Sequence, residues 1–308
     1  MGGGRWDPSA WASYASTTAA TKPTVDHICT QNSLHPDLDP RNIKMRESRD
    51  SDANPQSTAA IIALDVTGSM DRVLDAIARK GLGTLIEEIY DRKPVTDPHI
   101  MLMGIGDFEC DISPLQVTQF EAEVDKLTPQ MEKIWLERHG GGNSHESYTA
   151  PWFFAAMHTS IDCFEKRGQK GYLFTVGDEQ PNMTLYASDL RKHLGEAPEA
   201  NLSIQQLLDM VSRTYHVFHV MVEEGSHYRS YGATVRKEWG DILGQRAIPL
   251  SDHTKLAEVI VSTIEVTEGR DKHVVANSWS GDTALVVAKA VSGLPTAAGG
   301  TDAAVVRL

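Results

Sequence analysis

Four absences narrow what this 308-residue sequence can be. Cysteine is scarce: Cys29, Cys110 and Cys163 are odd in number, far apart and in no metal-ligand spacing. That excludes a disulfide framework and a thiolate metal centre, and it suits a reducing compartment. Basic clusters are missing, and 29 Lys and Arg against 42 Asp and Glu give a net charge of −13. No stripe of positive charge is available to track phosphates, so nucleic acid is not an expected partner. No apolar run approaches the roughly 20 residues of a membrane span, and the N-terminus has no basic-then-apolar leader, so a cytoplasmic protein without membrane association is expected. No Gly-x-Gly-x-x-Gly follows the first strand-like run, which removes the dinucleotide-binding fingerprint.

What the chain does have is a 41% hydrophobic content, enough for a real core, and a pattern organised around residues 59 to 70. The apolar run Ala59 to Leu64 is strand-like and stops at Asp65; Thr67 and Ser69 follow at alternate positions. Helical periodicity begins at once, with Met70, Val73, Leu74, Ile77, Ala78, Leu82, Leu85, Ile86 and Ile89 on one face to about Arg92. One carboxylate and two hydroxyls thus sit between a strand's C-terminal end and a helix start. That suits a hard cation with open positions for water or an incoming acid, although Thr and Ser are also ordinary helix caps.

Two later stretches repeat the theme. The strand from His99 ends on Asp107, and the strand Gly171 to Glu179 ends on Asp178 and Glu179, so three strands deliver acids to one sheet edge. Between them runs His139-Gly-Gly-Gly-Asn-Ser-His-Glu-Ser147, a tight polar loop before a helix expected near Pro151. It offers Asn143 and Ser144 as neutral oxygen donors and Glu146 as a charged one, while His139 and His145 are poor donors for a hard-oxygen site.

The string Asp65-Val-Thr-Gly-Ser-Met70 after such a strand resembles the first motif, Asp-x-Ser/Thr-x-Ser, of the metal-ion-dependent adhesion site (MIDAS) of von Willebrand factor A (vWA) domains. Asp178 beside Gly177 is similar to the third motif, and the glycine loop stands where the family presents a Thr. Here that place falls to Asn143 or Ser144, a departure from the pattern. The resemblance implies an α/β, Rossmann-like three-layer fold, with a mainly parallel sheet, one antiparallel edge strand and helices on both faces. It also implies a site with Asp65, Thr67, Ser69, Asn143 or Ser144, and Asp178 as metal ligands, and Asp107, Glu146 and Glu179 close behind. Mg2+ is the expected ion, with Mn2+ or Ca2+ as alternatives. The expected activity is metal-dependent binding of a protein partner that presents Asp or Glu; soluble prokaryotic and phage-type members often work beside AAA-type ATPases or in assembly systems. A Mg2+-dependent hydrolase using the same carboxylates is the competing reading, but it finds Thr67 where a second acid is wanted and no obvious cation for a phosphoryl transition state.

Residues 58–268 read as the vWA-like domain. Residues 1–57 read as a flexible polar arm whose aromatics Trp6, Trp11 and Tyr14 should dock, and an acid of Arg46 to Asp52 could cap the metal. Residues 269–308 read as one helix, Asp282 to Val291, and a mobile tail.

Overall fold

The computed structural model describes residues 7–137 and 143–295, apart from a few side chains such as that of Ser69. The near-continuous apolar runs become strands buried on both faces, as parallel sheets require. They are β1 Thr58–Asp65, β2 Pro98–Ile105, β3 Leu115–Val117, β4 Gly171–Gly177, β5 Tyr215–Val222 and β6 Ala247–Leu250. They form one sheet in the order β6-β5-β4-β1-β2-β3, parallel except for edge strand β3, which pairs antiparallel with β2.

Side-chain alternation along β1 builds two cores. Ala60, Ile62 and Leu64 face one cluster, which the helices Leu82–Arg92, Leu256–Thr267 and Gly281–Val291 join. Ala59, Ile61 and Ala63 face the other, with the helices Thr149–Met157, Ile204–Val211 and Ser226–Leu243. The result is the expected three-layer α/β fold.

Several boundaries differ from the sequence pattern for local reasons. The helix after Asp65 carries a π-helical segment, Ile77–Gly81, between Asp71–Ala76 and Leu82–Arg92. The helix Val124–Met131 starts only after Glu121, which exchanges two 2.9 Å backbone hydrogen bonds with Ile100 in a β-bridge. The helix Ser226–Leu243 buries only Tyr228 in its first half, too little apolar surface to show as a period in the sequence.

Residues 7–57 are packed onto the domain. Trp11 and Tyr14 enter the first core, and Gly83 leaves the room for the Trp11 ring. Trp6 lies outside the described residues. Arg46–Ser48 pairs with Thr159–Ile161, and Asp50 accepts hydrogen bonds from the N–H and Oγ of Ser57 at 3.0 and 2.8 Å. Ser57 immediately precedes β1, so this segment sits at the N-terminal edge of the sheet. A cap on Asp65 by its acids is therefore ruled out by about the length of β1. No helix among the described residues is long and apolar enough to cross a membrane.

Candidate metal centre

Strand order reverses between β1 and β4: the chain leaves β1 towards β2 on one side and β4 towards β5 on the other. Asp65 ends β1 and Asp178 directly follows β4, so both acids flank the switch point where open α/β sheets bind ligands. Both are fully buried. Asp65 Oδ1 accepts from the Thr67 N–H at 2.9 Å and from Thr67 Oγ1 at 2.5 Å, an Asx turn that opens the Gly68–Met70 helical turn. Asp65 Oδ2 accepts from the Tyr148 hydroxyl at 2.9 Å. Asp178 Oδ2 accepts from the His227 N–H at 2.9 Å, at the N-terminus of helix Ser226–Leu243, where the helix dipole favours an anion.

Close packing makes this possible. A Cβ at Gly177 would fall inside the Tyr148 phenol, and one at Gly225 would overlap the Asp178 carboxylate. Beneath the acids stands an aromatic wall: His219 stacks on Trp239 with 3.6 Å between centroids, Tyr148 meets both edge-on, and Trp239 Nε1 donates to the Glu179 carbonyl at 3.0 Å.

The loop before helix Thr149–Met157 reaches the same place. Residues 138–142, with His139 and the three glycines, lie outside the described residues. Asn143 donates to Asp107 and, at 3.3 Å, to Glu109; Ser144 is exposed on a cleft of about 350 Å³ that Asp107, Glu109, Asn182, Tyr186 and Glu238 also line. Glu146 turns inward and is 2% exposed. His145–Glu146 pairs with Gln180–Pro181, Ser147 N–H donates to the Gly106 carbonyl at 3.1 Å, and Ser147 Oγ accepts from the Phe108 N–H at 3.0 Å. Asp65, Thr67, Asp178, Glu179 and Glu146 thus lie at the same end of the sheet without any three of the acids coming within 4.8 Å of one another, while Asn143 lies with Asp107 and Ser144 at the rim.

Electrostatically this group lacks compensation. Burial raises the Asp65 carboxyl above the ordinary range, and Asp178 adds to that against the hydrogen bonds from Thr67 and Tyr148. Burial raises Glu146 too, reinforced by Asp65, Glu179, Asp107 and Asp111. Glu179 is pushed up to about 8 by burial and then by Asp65, Asp178 and Asp107. Among the described residues no Lys or Arg forms an ion pair with Asp65, Glu146 or Glu179; the nearest base is the His227 ring, 3.9 Å from Glu179 and itself biased to the neutral form by burial. Glu146 Oε2 is buried with no hydrogen-bond partner. Hard oxygen donors with unneutralised charge and an orphaned carboxylate oxygen suit a divalent cation in kind, but no three of these acids bring their oxygens within 4.8 Å of one another, so they would have to draw closer to share one.

Sequence reasoning missed Tyr148, the residue from this loop that touches Asp65, and Thr149, whose N–H and Oγ1 donate to Asn182 Oδ1 at 3.2 and 2.9 Å. The signal was present as the run Ser147-Tyr-Thr149, three hydroxyls just before a helix. Among the described residues the one trio of metal-type donors within 4.8 Å of one another is a different one, Glu224, Asp252 and His253, at the ends of β5 and β6. There Glu224 Oε2 already accepts from the His253 N–H at 2.6 Å, and Asp252 caps Thr254.

No protein-family model matches this sequence, and no curated protein matches it either. Solved structures to which the chain is similar include the pilus adhesin SpaC from Lactobacillus rhamnosus GG, at 9% identity and a TM-score of 0.46 over 72% of this chain and 32% of the adhesin. A von Willebrand factor type A protein from Catenulispora acidiphila is similar at 13% identity and a TM-score of 0.39, over 70% of this chain and 44% of that one. The chain thus spans less than half the length of either. Its three-layer architecture stands on the sheet order and helix placement themselves.

Proposed function

We propose that this chain is a divalent-cation-dependent protein–protein interaction module of MIDAS type, taking Mg2+, or Mn2+ or Ca2+ in its place, and capturing a partner through an Asp or Glu side chain. The observation that carries this reading is that buried Asp65 and Glu146 and half-buried Glu179 lie at one end of the sheet with no Lys or Arg paired to any of them among the described residues. Asp65 and Asp178, with the hydroxyls of Thr67 and Ser69, would hold the ion. A bound ion supplies local positive charge with a position that a carboxylate can complete.

Everything else falls to the chain's own groups. Thr67 and Tyr148 fix the two oxygens of Asp65, the His227 N–H orients Asp178, and the Tyr148, His219 and Trp239 rings keep water from beneath. Ser144 and Asn143 stand at the entrance that an incoming side chain would pass. A cytoplasmic setting beside an AAA-type ATPase or an assembly system is the context in which to seek the partner. A Mg2+-dependent hydrolase is the weaker reading, because a phosphoryl transition state at Asp65 would find no Lys or Arg partner among the described residues.

Calorimetric titration with MgCl2, MnCl2 and CaCl2 tests the proposal. Wild type should bind one ion and Asp65→Asn none. If wild type binds none of the three, the reading fails; phosphate release from p-nitrophenyl phosphate that disappears in Asp65→Asn would put the hydrolase in its place.

A further inference from the structure

The open cleft of about 350 Å³ is walled by the stretch that follows β2, by loop 143–147 and by residues 180–189, with helix Ser226–Leu243 contributing Glu238. Short ladders hold these walls: His145–Glu146 pairs with Gln180–Pro181, and Thr184–Leu185 runs antiparallel to Leu202–Ser203. Asn182 is tied down as well, its Oδ1 accepting from the N–H and Oγ1 of Thr149. The cleft is therefore built before anything enters it, at a size that takes a few side chains.

Two kinds of group line it. Met183 and Tyr186 leave 54% and 46% of their surface exposed, where most large apolar side chains of this chain are buried. Asp107, Glu109, Asp189 and Glu238 bring four carboxyls, and the lining contains no Lys or Arg. Among the described residues none of the four forms an ion pair with Lys or Arg; the base beside them is the His145 ring, 3.9 Å from Glu109. No three of these acids bring their oxygens within 4.8 Å of one another, so they do not converge on a single ion. Carboxyls spread along a cleft, with apolar surface beside them, complement a chain segment instead. Its cationic side chains can reach separate acids while an apolar one packs on Tyr186 and the adaptable Met183.

We propose that this cleft is the docking site for an extended segment of a partner protein in which Lys or Arg stands next to an apolar residue. Docking there needs no ion, so it does not rest on the metal reading. A nucleic acid would meet like charge in the cleft, and a polyamine would use the acids but leave Met183 and Tyr186 uncovered.

Fluorescence anisotropy on the full chain, in EDTA at physiological salt, tests this. The probes are fluorescein-labelled octapeptides of alternating Leu and Lys, Ser and Lys, or Leu and Glu, with spermine as competitor. The Leu/Lys peptide should bind wild type, the Ser/Lys peptide roughly tenfold more weakly, and the Leu/Glu peptide not at all. Asp189→Asn with Glu238→Gln should weaken the Leu/Lys peptide roughly fivefold or more, and Tyr186→Ala by about as much. Glu87→Gln with Asp91→Asn removes the same charge from exposed positions on helix Leu82–Arg92, in the other layer, and should change nothing. Equal losses in the two double variants would make the net charge of −13 the cause and overturn the inference. So would spermine or the Ser/Lys peptide matching the Leu/Lys peptide, or a Leu/Lys peptide that does not bind. With EDTA present throughout, failure here leaves the ion reading standing, and failure of the ion reading leaves this one standing.

Discussion

The two edges of the sheet handle buried acids in opposite ways. At the N-terminal edge two acids are matched by cations: Asp50 pairs with Arg167 at 2.7 Å, and Asp162 with Arg49 at 2.8 Å and Lys166 at 2.7 Å. Burial raises Asp50, but Arg167 and the Ser57 hydrogen bonds outweigh it and hold the carboxyl at about 2. At the C-terminal edge Asp65, Glu146 and Glu179 are raised, with no such partner among the described residues. One edge is built for stability and is complete in itself. The other withholds charge compensation, which is what a ligand site does when its counter-ion arrives from outside.

Removing a cation from the first edge should do the most damage. Arg167→Ala leaves Asp50 with only the more distant Lys166, at 3.4 Å, and the Ser57 carbonyl without its 2.6 Å donor, so a loss of about 3 kcal/mol is expected in chemical denaturation. Removing an acid from the second edge should do the reverse: Glu146→Gln keeps the shape and relieves repulsion, and should raise the ion-free melting temperature by a few degrees. A fall there would mean that the acid group is compensated after all.

The edges also differ in their response to pH. At the first edge, burial holds His99 at about 4 against an ordinary 6.5; the unfolded chain takes up that proton earlier, so stability is lost as pH falls from 6.5 towards 4. At the second, Glu179 is raised to about 8 from 4.5; the folded state keeps its proton longer, so its contribution is complete below 4.5 and lost as pH rises through 8. Ion-free protein should therefore melt highest between these limits, and saturating Mg2+ should flatten the alkaline fall while leaving the acid one. The smallest effect is expected from Tyr148→Phe, which deletes the hydrogen bond to Asp65 Oδ2: about 1 kcal/mol in denaturation of the ion-free protein.

Much of this was legible in the sequence. Buried parallel strands leave continuous apolar runs, so β1, β4 and β5 and the acids that end the first two could be read directly. The Asp-x-Thr turn is likewise local, since Thr67 bonds a residue only two positions away. What could not be read depends on contacts across the chain. The inward turn of Glu146 comes from a two-residue pairing with Gln180–Pro181, too short to leave a period, and Tyr148 meets Asp65 across 83 positions. The docking of residues 7–57 likewise depends on a few anchors, Trp11 and Tyr14 in the first core and Asp50 beside Arg167, set in an otherwise polar stretch.

The most direct test of the uncompensated edge is a thermal melt of wild type and Asp65→Asn, in EDTA and then in Mg2+. In EDTA the variant should melt above wild type, because a buried, repelled carboxyl has become neutral. At about a hundred times the dissociation constant, Mg2+ should stabilise wild type by roughly 2.7 kcal/mol and leave the variant unchanged. A wild type that melts at the same temperature in both buffers, above Asp65→Asn in each, would contradict the account and reduce Asp65 to a helix-start residue.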